Sequence, residues 1–168
     1  MIVDLSEILE SGRDFEFVGE PNLEEEAARV VGKVHAAGRI AGAGHRYKVT
    51  GTISAQIEND CTRCLVPIAS ALSLPFEVSY VDPEFDTTEA ERQVDPEDLE
   101  IAVAEEGKLD IEDLVREQII LSLPTRFLCK DDCRGLCDKC GANKNAADCG
   151  CDEKDIDPRW AQLKNLKF

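Results

Sequence analysis

Six of the chain's eight cysteines fall between Cys129 and Cys151, in the order Cys129-x3-Cys133-Arg-Gly-Leu-Cys137-x2-Cys140-Gly, then Cys149-Gly-Cys151. The other two form Cys61-Thr-Arg-Cys64. Thiols gathered this densely serve either a metal or disulfides, and both uses dictate which distant segments must meet. The first residues, Met1-Ile-Val-Asp-Leu-Ser-Glu, carry acids at once and lack the basic and apolar regions of a secretory signal. That predicts a cytoplasmic, reducing setting, where structural disulfides are rare. Metal is therefore the first expectation.

Cys137-Asp-Lys-Cys140-Gly141 has the form of a zinc knuckle. Two thiolates two residues apart bind one ion, and the glycine lets the backbone turn in toward the sulfurs. Cys149 and Cys151 supply a second close pair, completing a four-cysteine set. Cys61, Cys64, Cys129 and Cys133 make a second set, tying a turn in the body to the segment that opens the cysteine-rich region. The expected cofactor is structural zinc, one or two ions, with an iron–sulfur cluster as the competitor. Other readings of the second set are free thiols, a redox pair at Cys61 and Cys64, or Cys133 joining the C-terminal set with Cys129 left over. Two closed sets leave no open metal position for a reactant. His35 and His45 are far in sequence from every cysteine pair. No phosphate loop, nucleophile elbow or dinucleotide glycine pattern occurs, so no enzyme and no small-molecule substrate is expected.

Charge divides the chain. The net charge is −16, and residues 1–123 hold 10 Lys/Arg against 27 Asp/Glu, whereas residues 124–168 hold 9 against 8. The body repels phosphate backbones and attracts basic partners. No run of about 18 apolar residues occurs, so no membrane span is expected.

The strongest periodicity lies at residues 47–58. Tyr47, Val49, Gly51, Ile53, Ala55 and Ile57 alternate with polar residues, predicting a long strand. Leu72, Leu74, Phe76, Val78 and Tyr80 predict a second strand, at an edge or bulged at Pro75. Cys61 and Cys64 then lie on the connection between two paired strands. A β-like stretch begins near Arg29, and Gly42-Ala-Gly44 reads as a turn. Residues 82–98 are acidic and poor in apolar side chains, which reads as a loop. A short strand is expected at Leu99, Ile101 and Val103, with a turn near Gly107. Asp110 reads as the N-cap of a helix whose stripe is Ile111, Leu114, Val115 and Ile119, ending near Leu123 before Pro124. Asp157-Pro158 and the spacing of Trp160, Leu163 and Leu166 predict a short C-terminal helix. The expected class is α+β: an antiparallel, β-rich acidic body with one main helix over residues 1–123, then a cysteine-rich zinc module and a C-terminal helix over residues 124–168.

These motifs together resemble the YceD-like family of large ribosomal RNA subunit accumulation proteins. The carrying residues are Cys61-Thr-Arg-Cys64-Leu65, Leu121-Ser-Leu-Pro124, the string from Cys129 to Asn143, Cys149-Gly-Cys151, and Asp157-Pro-Arg-Trp160-Ala-x-Leu163. The resemblance is weak over residues 1–45 and close from Cys129 onward. It implies a bacterial or organellar protein supporting accumulation of large-subunit ribosomal RNA, with a metal-binding and nucleic-acid-binding character. Some relatives keep the first Cys-x-x-Cys without the Cys137–Cys151 cluster, which implies two separable sites. No catalytic residue comes with the resemblance.

The function expected is a non-enzymatic ribosome-biogenesis factor whose partner is large-subunit ribosomal RNA or a basic ribosomal protein. Arg126, Lys130, Arg134, Lys139 and Lys144 are its RNA-contact candidates, offset by Asp131, Asp132, Asp138 and Asp148. The alternative is a thiol redox or zinc-responsive regulatory protein.

Overall fold

Fifteen consecutive residues, Arg46–Asp60, make the central strand of the fold, and its buried face is the apolar half of the alternation above. The computed structural model describes residues 1–23, 28–82 and 101–151, together with Arg159. In chain order the strands are β1 (Ile2–Asp4), β2 (Arg13–Gly19), β3 (Arg29–Val30), β4 (Val34–Ala43), β5 (Arg46–Asp60), β6 (Pro67–Val81), β7 (Ile101–Val103) and β8 (Lys108–Asp110), followed by helix α1 (Ile111–Ser122). The main sheet runs β2-β4-β5-β6-β7, with β3 pairing a further length of β5. β1 and β8 form a separate two-stranded ribbon. The main sheet curls into a half-barrel.

Glycine lets the sheet curl. Phe15, Gly38, Gly51 and Phe76 stand opposite one another on four neighbouring strands. A methyl group on Gly51 would lie 2.9 Å from the Phe76 ring and 2.7 Å from the Ala37 carbonyl oxygen. One on Gly38 would lie 2.9 Å from the Phe15 ring and would collide with the Thr50 carbonyl oxygen. The two rings thus cover a glycine pair, a known device for bending a sheet while keeping its inner face apolar.

The core lies inside this curl. Val34, Ile40, Val49 and Ile53 from the strands pack in one cluster with Ile111, Leu114, Val115 and Ile119 of α1. Those four helix residues are the stripe expected from the sequence. Asp110 caps the helix, its carboxylate accepting from the Glu112 N–H at 2.9 Å, and the chain leaves at Leu123. No helix among the described residues is long and apolar enough to cross a membrane.

Two expectations shift. The turn read at Gly42-Ala-Gly44 falls later, at Gly44-His45, because Gly42 and Ala43 are still paired with Tyr47 and Arg46. Gly44 supplies the left-handed residue at φ +66°. The body is not wholly antiparallel, since β7 runs parallel to β6. Residues 82–100 separate those strands, and a connection of that length permits a parallel pair where a hairpin does not. Pro75 sits on a stretch of β6 with β5 on one side and no described strand on the other, in keeping with an edge position. The acidic stretch 83–98, Leu99 and the predicted C-terminal helix with Trp160, Leu163 and Leu166 lie outside the described residues.

Candidate metal centres

The hairpin of β5 and β6 closes through Cys61–Val66. Cys61 N–H donates to the Val66 carbonyl and Leu65 N–H donates to the Cys61 carbonyl, both at 2.9 Å. In the cysteine-rich segment the Cys137 N–H donates to the Ala142 carbonyl and the Gly141 N–H to the Cys137 carbonyl, both at 2.8 Å. The two turns therefore share one hydrogen-bond pattern. Each needs a left-handed residue just after its second cysteine: Leu65 at φ +56° in the first, Gly141 at φ +71° in the second. Glycine takes that conformation freely, whereas leucine is strained in it.

The segment leaving α1 docks on the first turn. Thr62 donates to the Phe127 carbonyl through its N–H at 2.8 Å and its hydroxyl at 3.1 Å. The Leu136 N–H donates to the Arg63 carbonyl at 3.1 Å. These bonds cross the position between residues 123 and 124, where sequence composition changes. They bring Cys129 and Cys133 onto Cys61 and Cys64, with all four sulfurs within 4.8 Å of one another. The Cys61 and Cys133 sulfurs are 3.7 Å apart, and those of Cys64 and Cys129 3.5 Å. A tetrahedron with metal–sulfur bonds of about 2.3 Å has edges of about 3.8 Å. Cys61 and Cys133 are fully buried and Cys64 nearly so, under Ile68, Leu128 and Leu136, while Cys129 is exposed.

Cys137, Cys140, Cys149 and Cys151 form the second set, again with every sulfur within 4.8 Å of the others. It is more open: Cys137 is buried, Cys140 and Cys149 are exposed and Cys151 is half-buried. All eight thiols are free of disulfides. Cys133 therefore groups with Cys61, Cys64 and Cys129, and the partition that put it in the C-terminal set is not the one observed.

A polar link joins the two sets. Leu136 and Asn143 form an isolated β-bridge, and the Lys144 N–H donates to the Gly135 carbonyl at 2.9 Å. The Asn145 side chain donates to the Cys133 sulfur at 3.3 Å and to the Asn143 carboxamide oxygen at 2.9 Å, while its own oxygen accepts from the Arg134 N–H at 2.8 Å. Sequence reasoning gave Asn143 and Asn145 no role. Their place inside the cysteine string, where short polar side chains bond local backbone, was the signal available.

The backbone favours thiolates at chosen positions. Burial works to raise Cys61, but the N–H groups of Arg63, Cys129 and Cys64 outweigh it and hold the thiol down at about 6. The N–H groups of Cys140 and Lys139, with the Cys149 thiol, hold Cys137 at about 6. Burial also opposes ionisation of Cys133, yet the Asn145 amide and the Gly135 N–H leave it lowered. The remaining partners go the other way. The Cys64 thiol and burial push Cys129 up to about 12, and Cys140 and Cys149 with burial push Cys151 up to about 12. The Val66 N–H pulls Cys64 down, but burial and Cys61 leave it raised. Neighbouring thiolates repel one another, so four can ionise together only around a cation. The sulfur spacing, the all-thiol donors and the N–H groups aimed at sulfur fit such an ion at both sets.

Both histidines stand apart from these sets, His35 on β4 and His45 in the following turn. Among the basic residues singled out above, Arg126, Lys130, Arg134 and Lys139 are exposed and Lys144 is half-buried. Arg134 pairs with Asp148 at 2.8 Å and Lys130 with Asp132 at 3.6 Å. All five lie on the segment that carries the second set or leads into it.

Fold and site together define a β-rich protein carrying two all-cysteine sets able to hold metal ions. The chain belongs to the YceD family, whose model, described as "Large ribosomal RNA subunit accumulation protein YceD", matches residues 49–167. It is 30% identical over 128 residues to uncharacterized proteins of Mycobacterium bovis and Mycobacterium tuberculosis, an alignment covering 76% of this chain and 59% of each relative. The chain thus spans about six-tenths of the length of those relatives. It is also 33% identical over 60 residues to the large ribosomal RNA subunit accumulation protein YCED homolog 1, chloroplastic, of Arabidopsis thaliana, covering 36% of this chain and 19% of the plant protein. No solved structure matches the chain.

Proposed function

We propose that this protein is a non-enzymatic factor in assembly of the large ribosomal subunit, held in shape by two structural zinc ions. The observation that carries this reading is the pair of closed four-thiol sets, which offer a metal four ligands and leave no position for a reactant. The family description and the name of the plant relative support a role toward large-subunit ribosomal RNA. In this reading Cys61, Cys64, Cys129 and Cys133 hold one ion, and Cys137, Cys140, Cys149 and Cys151 the other. Zinc suits an all-thiolate tetrahedron and brings no redox chemistry of its own. The acidic body meets a basic ribosomal protein, and Arg126, Lys130, Arg134, Lys139 and Lys144 face RNA phosphate.

Depletion in cells is expected to lower large-subunit ribosomal RNA relative to the small-subunit species, and a protein with Arg134, Lys139 and Lys144 reversed to glutamate is expected to bind that RNA less well in filter assays. Unchanged RNA levels would end the assembly reading; unchanged binding would remove the basic face from it. Exposed Cys140 and Cys149 favour a second reading, a zinc-responsive regulator. It requires reversible zinc release under mild peroxide at physiological pH, and a zinc content that does not change under that treatment excludes it.

A further inference from the structure

Away from the cysteines, a cavity of about 510 Å³ opens where the start of α1 meets β7, β8 and the end of β6. Among the described residues five carboxylates line it: Glu105, Glu106, Asp110, Asp113 and Glu117. The cationic side chain in its wall among the described residues is Lys108, which is 3.3 Å from Glu106. Asp110 pairs with the Met1 amine and Asp113 with Arg116, whereas Glu105 and Glu117 have no ion-pair partner among the described residues. Leu109 and Leu114 give the cavity an apolar lining between these charges.

Tyr80 supplies an observation independent of the acids. Its side chain is only 8% exposed and lines the same cavity. Its hydroxyl makes no hydrogen bond to the described residues and keeps accessible surface, so it is open to a donor that enters the cavity. Burial, with the Glu117 carboxylate beside it, pushes its pKa up to about 12, so the hydroxyl keeps its proton at neutral pH and retains lone pairs for a donor. A wall of carboxylates, an unused phenol oxygen and an apolar lining is the complement of a long, cationic side chain with several N–H groups. Arginine has that shape: a guanidinium fork for carboxylate and phenol oxygens, on an apolar stem.

We propose that this cavity is the docking site for an arginine side chain on an extended segment of a basic protein partner. The site names the partner class of the assembly role proposed above and rests on that role for its biological meaning. Its chemistry does not involve either cysteine set.

The test is a titration of the full zinc-loaded chain with an alanine peptide carrying three arginines, followed by amide NMR and calorimetry, beside the same peptide with lysines. Shifts centred on Tyr80, Ala104 and Glu117 are expected, with the lysine peptide binding several-fold more weakly. Glu117→Gln with Asp113→Asn should weaken arginine-peptide binding at least tenfold, and Tyr80→Phe, which keeps the ring, several-fold. Glu10→Gln with Glu16→Gln removes the same charge outside the cavity and should change binding less than twofold. Equal weakening by that control pair would mean long-range attraction to an acidic protein, and would overturn the site. No binding, or single-stranded RNA shifting the same amides, would also overturn it. The peptide assay does not read ribosomal RNA levels, so the site and the assembly role can fail separately.

Discussion

Phe15 and Phe76 cover Gly38 and Gly51 so closely that one methyl group has nowhere to go. Gly38→Ala is therefore expected to destabilise the protein by about 1–3 kcal/mol, the usual cost of overpacking, read as a lower urea midpoint with unchanged slope. Leu65 is the opposite case. It is 62% exposed and sits at φ +56° where the matching turn has glycine, so Leu65→Gly should stabilise the first turn by about 1 kcal/mol in the same assay. A loss of stability instead would mean that the exposed leucine packs better than the strain costs. Neither feature was legible in the residues alone. A glycine within an alternating strand signals close approach without naming its neighbour, and Cys61-Thr-Arg-Cys64-Leu65 does not announce a left-handed leucine.

At the level of elements, the helix was the easiest part to read, because cap, stripe and stop all agree. Asp110 accepts the Glu112 N–H, which is the largest reason its pKa is lowered. A lowered carboxylate pKa contributes stability above the unfolded value, near 4, and loses it as pH falls through the folded value. Asp110→Ala should thus cost about 1 kcal/mol at pH 7, and the difference from wild type should shrink on acidification below about pH 4 in parallel thermal melts. β5 and β6 were equally legible, since a period of two with one face buried is a direct imprint of the pleat. β7 was only half legible: a short apolar run locates a strand, but its direction depends on which edge it reaches after residues 82–100. The turn after β4 was misplaced because three small residues in a row, Gly42-Ala-Gly44, let the ladder run to Ala43 before the chain reverses.

For the molecule as a whole, the pairing of eight thiols into two sets is the feature that most repays measurement. The grouping followed from counting close pairs, but the alternative that moved Cys133 could be settled only by the strand turn and the post-helix segment meeting in space. Metal analysis of purified protein is expected to find two zinc ions, falling to one in Cys61→Ser and in Cys149→Ser. Chelator competition should be biphasic, the open second set yielding first and the buried first set later. Asn145→Ala removes the donor on Cys133 and should weaken the slower phase about 10–100-fold while leaving the faster one nearly unchanged. A single phase would mean that the two ions stand or fall together.

The partners Cys64 and Cys129 are separated by 65 residues, a span containing all of β6, β7 and α1. At about 5–20 residues per second, synthesis delivers the second half of that clasp several seconds after the first. The tip of the long hairpin must therefore wait as bare thiols while the rest of the body emerges, and an ion arriving early finds only a two-toothed grip. In the zinc reading proposed above, shutting the first clasp is thus a late event in the life of each new chain, and cells starved of zinc accumulate molecules with a finished half-barrel wall and a gaping end.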